Sequence, residues 1–177
     1  MALGVSQATA GTMEFEPVQV ASISGQTGGT VDPRVLLAFD LSALPQDAVV
    51  LHAEMRLTDQ AAIAWSCPFV AVLAGALTKQ WDASTTSWEN ASGNQAWDDP
   101  GGDWDPEPIA YRVLVRKARV PSELVLTEIV SKWASGAIPN YGLIVMMPEA
   151  EDFSLAVPYF NAQYLTPVLT IRYFVPE

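Results

Sequence analysis

The chain has 177 residues, half of them apolar and 16% charged, which is the composition of one globular domain. A formal net charge of -11 disfavours phosphate binding, which needs a basic patch, so nucleic acid is not an expected partner. A single cysteine, Cys67, excludes an intrachain disulfide, and with a single histidine, His52, it excludes a Cys/His zinc site.

Residues 1–12 are apolar or small and polar, and the first basic residue is Arg34. No positive stretch precedes an apolar run, so no signal peptide is expected in this chain. The stretch suits a docking arm instead. Residues 1–30 divide into an N-terminal arm and a first strand over 14–23, ahead of a domain over 31–177, one domain overall. Residues 25–32, rich in Gly and Thr, read as a loop. Residues 34–41 alternate, with Val35, Leu37, Phe39 and Leu41 on one face. After a turn-rich connector at 42–47, residues 49–57 alternate again. Val49, Leu51, Ala53, Met55 and Leu57 are expected to face a core, and His52, Glu54 and Arg56 to face water. Residues 60–78 are uncharged, but Ser66 and Pro68 interrupt them, so they read as a loop feeding a buried strand rather than a membrane span. Residues 69–76 are apolar on both faces, as in a strand between packed layers. Cys67 reads as a small core hydrophobe.

Residues 81–108 look irregular and carry four of the six tryptophans, Trp81, Trp88, Trp97 and Trp104. They also carry Asp82, Glu89, Asp98, Asp99, Asp103, Asp105 and Glu107, with no Lys or Arg. A loop of that length inside one domain is functional or packed on itself. Sugars stack on exposed aromatic faces, which makes Trp97, Trp104 and Tyr111 candidate ligand-binding residues. The alternative is that the tryptophans pin the loop to a sheet. Calcium takes several oxygen ligands from closely spaced carboxylates, so Asp98, Asp99, Asp103 and Asp105 around Gly101 and Gly102 are candidate ligands. No other cofactor is expected.

A strand over 110–115 follows. The basic group Arg112, Arg116, Lys117 and Arg119 is either a solvated strand face or a candidate interface with an acidic region of an identical neighbour. One helix is expected, with Thr127 as N-cap, Glu128 at its positive start, and Ile129, Val130 and Trp133 as its apolar stripe. Gly136 ends it and Pro139 prevents resumption. Strands over 141–147, 153–159 and 168–175 complete the chain, with Pro158 placing the second at a sheet edge. About eight strands and one short helix predict an all-β jelly-roll β-sandwich of two antiparallel sheets.

Several pieces in order resemble a known family. They are Arg34-Val-Leu-Leu-Ala-Phe-Asp-Leu-Ser42 with Leu44-Pro45, then Arg56-Leu57-Thr58, Trp81-Asp-Ala-Ser-Thr-Thr-Ser-Trp88 and Trp97-Asp-Asp-Pro-Gly-Gly-Asp103. Ile129-Val130-Ser-Lys-Trp133, Asn140-Tyr-Gly142-Leu143 and Thr166-Pro167-Val-Leu-Thr-Ile-Arg-Tyr173 follow. The set resembles the DNRLRE domain and its carbohydrate-binding-module relatives. That resemblance implies a jelly roll without catalytic residues, carried as a module of surface proteins. The residues agree on catalysis. His52 sits mid-strand on a polar face without a nucleophile, and acids crowded in one loop do not make the separated pair of a glycosidase.

The reading that follows is a non-catalytic structural or interaction protein. The first expectation is a virion surface assembly subunit of the capsid cement, decoration or fibre type, a homo-oligomer or a partner of capsid or tail proteins. The alternative is a carbohydrate-binding module of a surface or secreted polysaccharide-active system. No membrane partner is expected. The location is the virion surface, or otherwise the cell surface or extracellular space.

Overall fold

The computed structural model describes residues 9–27, 30–57, 69–115, 122–147 and 167–176. Its strands are β1 (Thr9–Phe15), β2 (Pro17–Thr27), β3 (Thr30–Phe39), β4 (Val49–Leu57), β5 (Phe69–Leu77), β6 (Asn90–Ser92), β7 (Gln95–Ala96), β8 (Trp104–Val115), β9 (Ser122–Val125), β10 (Leu143–Met146) and β11 (Val168–Val175). One helix, α1 (Thr127–Ala134), lies between β9 and β10. A four-stranded sheet has the order β1-β11-β4-β9, and a five-stranded sheet has the order β2-β3-β10-β5-β8. The antiparallel partners nest: β1 with β11, β3 with β10, β4 with β9 and β5 with β8. This nesting is a long folded ribbon rolled into two layers, the jelly roll the alternation predicts. Strand 153–159, Cys67 and residues 1–8 fall outside the described residues.

The two sheets meet over one core. The four-stranded sheet contributes Phe15, Ala53, Met55, Leu124, Leu169 and Ile171, and the five-stranded sheet contributes Val35, Leu37, Phe39, Val72, Ala74, Leu143 and Val145. Helix α1 adds Ile129, Val130 and Trp133 to the same core. Among the described residues every fully buried side chain is apolar. Such a core needs no internal ion pair to be stable.

Four expectations change. The first strand is two strands, because Pro17 cannot donate to a ladder and the chain crosses from one sheet to the other there. Thr9–Phe15 pairs with β11 from Thr9↔Val175 onward, so the second part of the expected arm is an edge strand. Residues 25–32 are not an open loop, since Gly25 pairs with Asp32 and Gln26 with Val31 in the β2–β3 hairpin. Thr127 is not the N-cap. Leu126 holds that place, and the Thr127 hydroxyl accepts the Ala53 N–H at 3.0 Å, tying α1 to β4. Gly136 does end the helix, with φ +71 and its N–H on the Trp133 carbonyl.

The fourth change lies in β4. Ala53 and Met55 are fully buried as expected, but Leu51 is 57% exposed and Val49 43%. Val50 pairs with Tyr173 and His52 with Arg172, which leaves Leu51 without a partner across β11. This bulge flips the alternation, so Val50 packs on the core and its odd-numbered neighbours face water. Met55→Ala should therefore lower stability by about 2–5 kcal/mol, and Leu51→Ser should change it by no more than about 0.5 kcal/mol. Urea unfolding checks both, and equal losses would contradict the flip.

Candidate functional site

The tryptophan-rich stretch folds back over the outer face of the five-stranded sheet. That face presents Ala21 and Ile23 from β2, Leu36 from β3, Leu77 from β5, and Ile144 and Met146 from β10. Trp81, Ala91 and Trp97 close over them as a second core. Each of these two indoles finds an acceptor: Trp81 Nε1 donates to the Tyr141 carbonyl at 2.8 Å, and Trp97 Nε1 to the Ser87 carbonyl at 3.0 Å. The small hairpin β6–β7 and a run of turns hold the stretch internally. Asp82 accepts the Ser84 N–H and hydroxyl, and the Trp88 carbonyl accepts the Gly101 N–H at 2.6 Å.

Two basic residues fasten this cover, and sequence reasoning assigned a role to neither. Arg34 of β3 reaches Asp32 with Nε at 3.1 Å and Nη2 at 2.6 Å, and donates Nη1 to the Gly101 carbonyl at 3.1 Å. Its guanidinium lies 4.7 Å from the centre of the Trp88 ring. A planar cation stacked on an indole while keeping its in-plane donors engaged is an arrangement lysine cannot copy. Trp88 lies over Gly25, where an added Cβ would come within 2.2 Å of its ring. The second fastener is Lys79, just after β5. Its ammonium is 2.7 Å from Asp98 and 2.9 Å from Asp103. The signal for it was available, since Lys79 is the one Lys or Arg between Arg56 and Arg112.

The candidate calcium ligands are engaged with the chain's own groups in this structure. The Asp103 carboxylate already accepts the N–H groups of Asp98 and Asp99, at 3.0 and 2.9 Å, and Lys79 stands where a cation would. Asp105 is turned to the Glu107 N–H at 2.9 Å. Among the described residues no three His, Cys, Asp or Glu side chains converge as metal ligands. The acid pattern is real, but the chain supplies its own counter-ion.

The candidate aromatic residues separate. Trp97 is 5% exposed, so it is a packed core residue and not an open stacking face. Trp104 is half-buried, its ring across Gly75, where an added Cβ would come within 2.4 Å. Tyr111 is 59% exposed and sits opposite Leu73 on the same outer face. Of the basic group, Arg112 is exposed on β8, and Arg116, Lys117 and Arg119 lie outside the described residues. His52 Nε2 is 2.9 Å from Glu54 on the polar face of β4. Trp133 is buried in the main core with its indole N–H unpaired.

Compared with family models and with curated proteins, the chain matches none.

The Lys79 fastening is pH-dependent, and its sign follows from Asp103. Burial raises the Asp103 pKa, but the Asp98 and Asp99 N–H groups and Lys79 outweigh it and hold the carboxyl below its ordinary 3.8. A carboxyl depressed in the folded state stabilises above its ordinary value, and that contribution fades as pH falls through the lowered one. Asp103→Asn should lower stability at neutral pH and flatten the acid limb below about pH 4. Tryptophan emission followed through an acid titration checks it, and superimposable profiles for variant and parent would contradict it.

Proposed function

We propose that this chain is a non-catalytic assembly subunit of a virion surface, of the cement, decoration or fibre kind. One observation carries the reading. Among the described residues nothing covers the outer face of the four-stranded sheet, and the bulge in β4 turns Val49 and Leu51 onto it. Val49 pairs with Phe174, which places a half-buried aromatic beside them. Val125, paired with Glu54, adds an exposed side chain to the same face. The patch continues into a groove of about 340 Å³ between the start of β4 and α1, bordered by Ala48, Val50, Ser131 and Ala134. Apolar groups gathered on an otherwise polar face mark contact surfaces between proteins. The titratable groups that could suggest chemistry are engaged structurally instead: His52 by Glu54, Lys79 by two aspartates, Arg34 by Asp32.

A carbohydrate-binding module is the second reading. It is favoured by Trp104 and Tyr111 of one strand facing the same side of the sheet, with Tyr111 open to a ligand. The resemblance to the DNRLRE domain supports the same reading.

Two experiments separate them. For the first, the proteins encoded by neighbouring genes are expressed, those that form capsid shells are purified, and the protein is sedimented with them. Co-sedimentation is expected, and Val49→Lys with Leu51→Lys should lower the bound fraction about tenfold. A chain that stays unbound with shell and tail components overturns it. For the second, affinity electrophoresis on a polysaccharide panel should show retardation that Tyr111→Ala removes, and unretarded migration on every gel overturns it.

A further inference from the structure

The edges of a sandwich are where a further copy could add, and β8 is the one built for it. Among the described residues it is the longest strand, Trp104–Val115, and it pairs on one side with β5 alone. Tyr111 and Val113 stand exposed on its outer face, 59% and 39%. Ile109, also exposed, borders a groove of about 250 Å³ with Pro108 and Leu126. A ladder that is unpaired among the described residues and flanked by apolar side chains favours pairing with another strand.

The charges choose the partner. Two chains of net charge -11 repel unless their contact is locally complementary. Along β8 the first half carries Asp105 and Glu107, and the second half carries Arg112, which has no ion pair among the described residues. Antiparallel pairing of two identical strands lays the acidic half of each beside the basic half of the other. A parallel pairing would set like beside like. Antiparallel pairing of identical edges is also what a two-fold axis produces.

We propose that β8 pairs antiparallel with β8 of a second copy, joining two five-stranded sheets across a two-fold axis. The proposal rests on the assembly reading and supplies its building unit. It uses a different surface from the Val49 and Leu51 patch.

Sedimentation equilibrium of the full chain over a range of concentration and salt tests it. A dimer is expected, weakening as salt rises. Val113→Lys, at an exposed position, should weaken it about tenfold with an unchanged circular-dichroism spectrum. Arg112→Glu and the double variant Asp105→Lys, Glu107→Lys should each self-associate less than the parent, and an equimolar mixture of the two should recover dimer. Recovery on mixing is a result that damage to the fold cannot produce. A monomer at every concentration, a dimer indifferent to Val113→Lys, or no recovery on mixing overturns the proposal. A monomer that still co-sediments with capsids overturns the β8 pairing alone and leaves the assembly reading standing. A dimer that binds no capsid supports the pairing and overturns the assembly reading.

Discussion

Leu36, Leu77 and Ile144 point away from the core between the two sheets, and an uncovered sheet would put them in water. The rest of the molecule depends on covering them. The stretch between β5 and β8 does so with Trp81 and Trp97, side chains large enough to bury roughly 150–250 Å² each. Through that cover β3, β5 and β10 become strands buried on both faces. This accounts for the unbroken burial of Leu143 to Met146 and of Val35 to Leu37. The five-stranded sheet is then the middle layer of three.

Charge is spent on fastening this cover. Arg34 is largely covered but remains solvated by protein: a carboxylate, a backbone carbonyl and an indole face surround its guanidinium. Gly25 and Gly101 lie beneath Trp88 because a side chain there would meet the ring. At the other end, Lys79 joins the end of β5 to the Asp98–Asp103 turn, and its own pKa rises above the ordinary 10.5 through Asp98 first and Asp103 second. A stretch that carries seven acids and no base would repel itself if left free. One lysine from outside it, placed where two of those acids converge, relieves the repulsion at the point where the chain must turn back to begin β8.

Much of the architecture was legible because alternation reports which face is buried. Val168–Val175 and Val49–Leu57 coincide with the strands read from the sequence, and Gly136 ends the helix as expected. What alternation could not show was a local change of phase. Val49, Leu51, Ala53 and Met55 form one apolar series in sequence, and only the partner strand reveals that Leu51 has no residue opposite it. The hairpin over 25–32 was hidden for a related reason, since Gly and Thr signal turns whether the pairing stops early or runs to the tip. At the candidate site the tryptophans were visible as a group, with packing against the sheet as one of two readings. Apart from the local Arg34–Asp32 pair, neither Arg34 nor Lys79 could be matched to its partners, because Gly101 lies 67 residues from Arg34 and Asp98 lies 19 from Lys79. Contacts of that range are set by topology, and no local pattern encodes them.

A rolled sandwich covers its faces but does not close its edges, and this chain treats its four edges unequally. β9 is only four residues long, whereas β2 runs for eleven residues with a proline only at its start and Val18 and Val20 exposed. β1 presents Thr9, Ala10 and Thr12 to solvent, small side chains that offer a partner little apolar area. Short length, proline and the lack of apolar side chains are the ordinary defences of an exposed ladder. In β8 the defence is confined to the first half, where Pro106 and Pro108 remove donors and Asp105 and Glu107 add charge. Beyond Ala110 the strand has Tyr111 and Val113 in the open, and Arg112 is its one charged side chain. A fold that protects β1 and β9 leaves β2 and β8 as liabilities or as joints, and in an antiparallel β8 joint the open half of each copy lies against the proline-bearing half of the other. The reversal of charge along β8 favours the joint there, since protection alone would be served as well by charges of one sign.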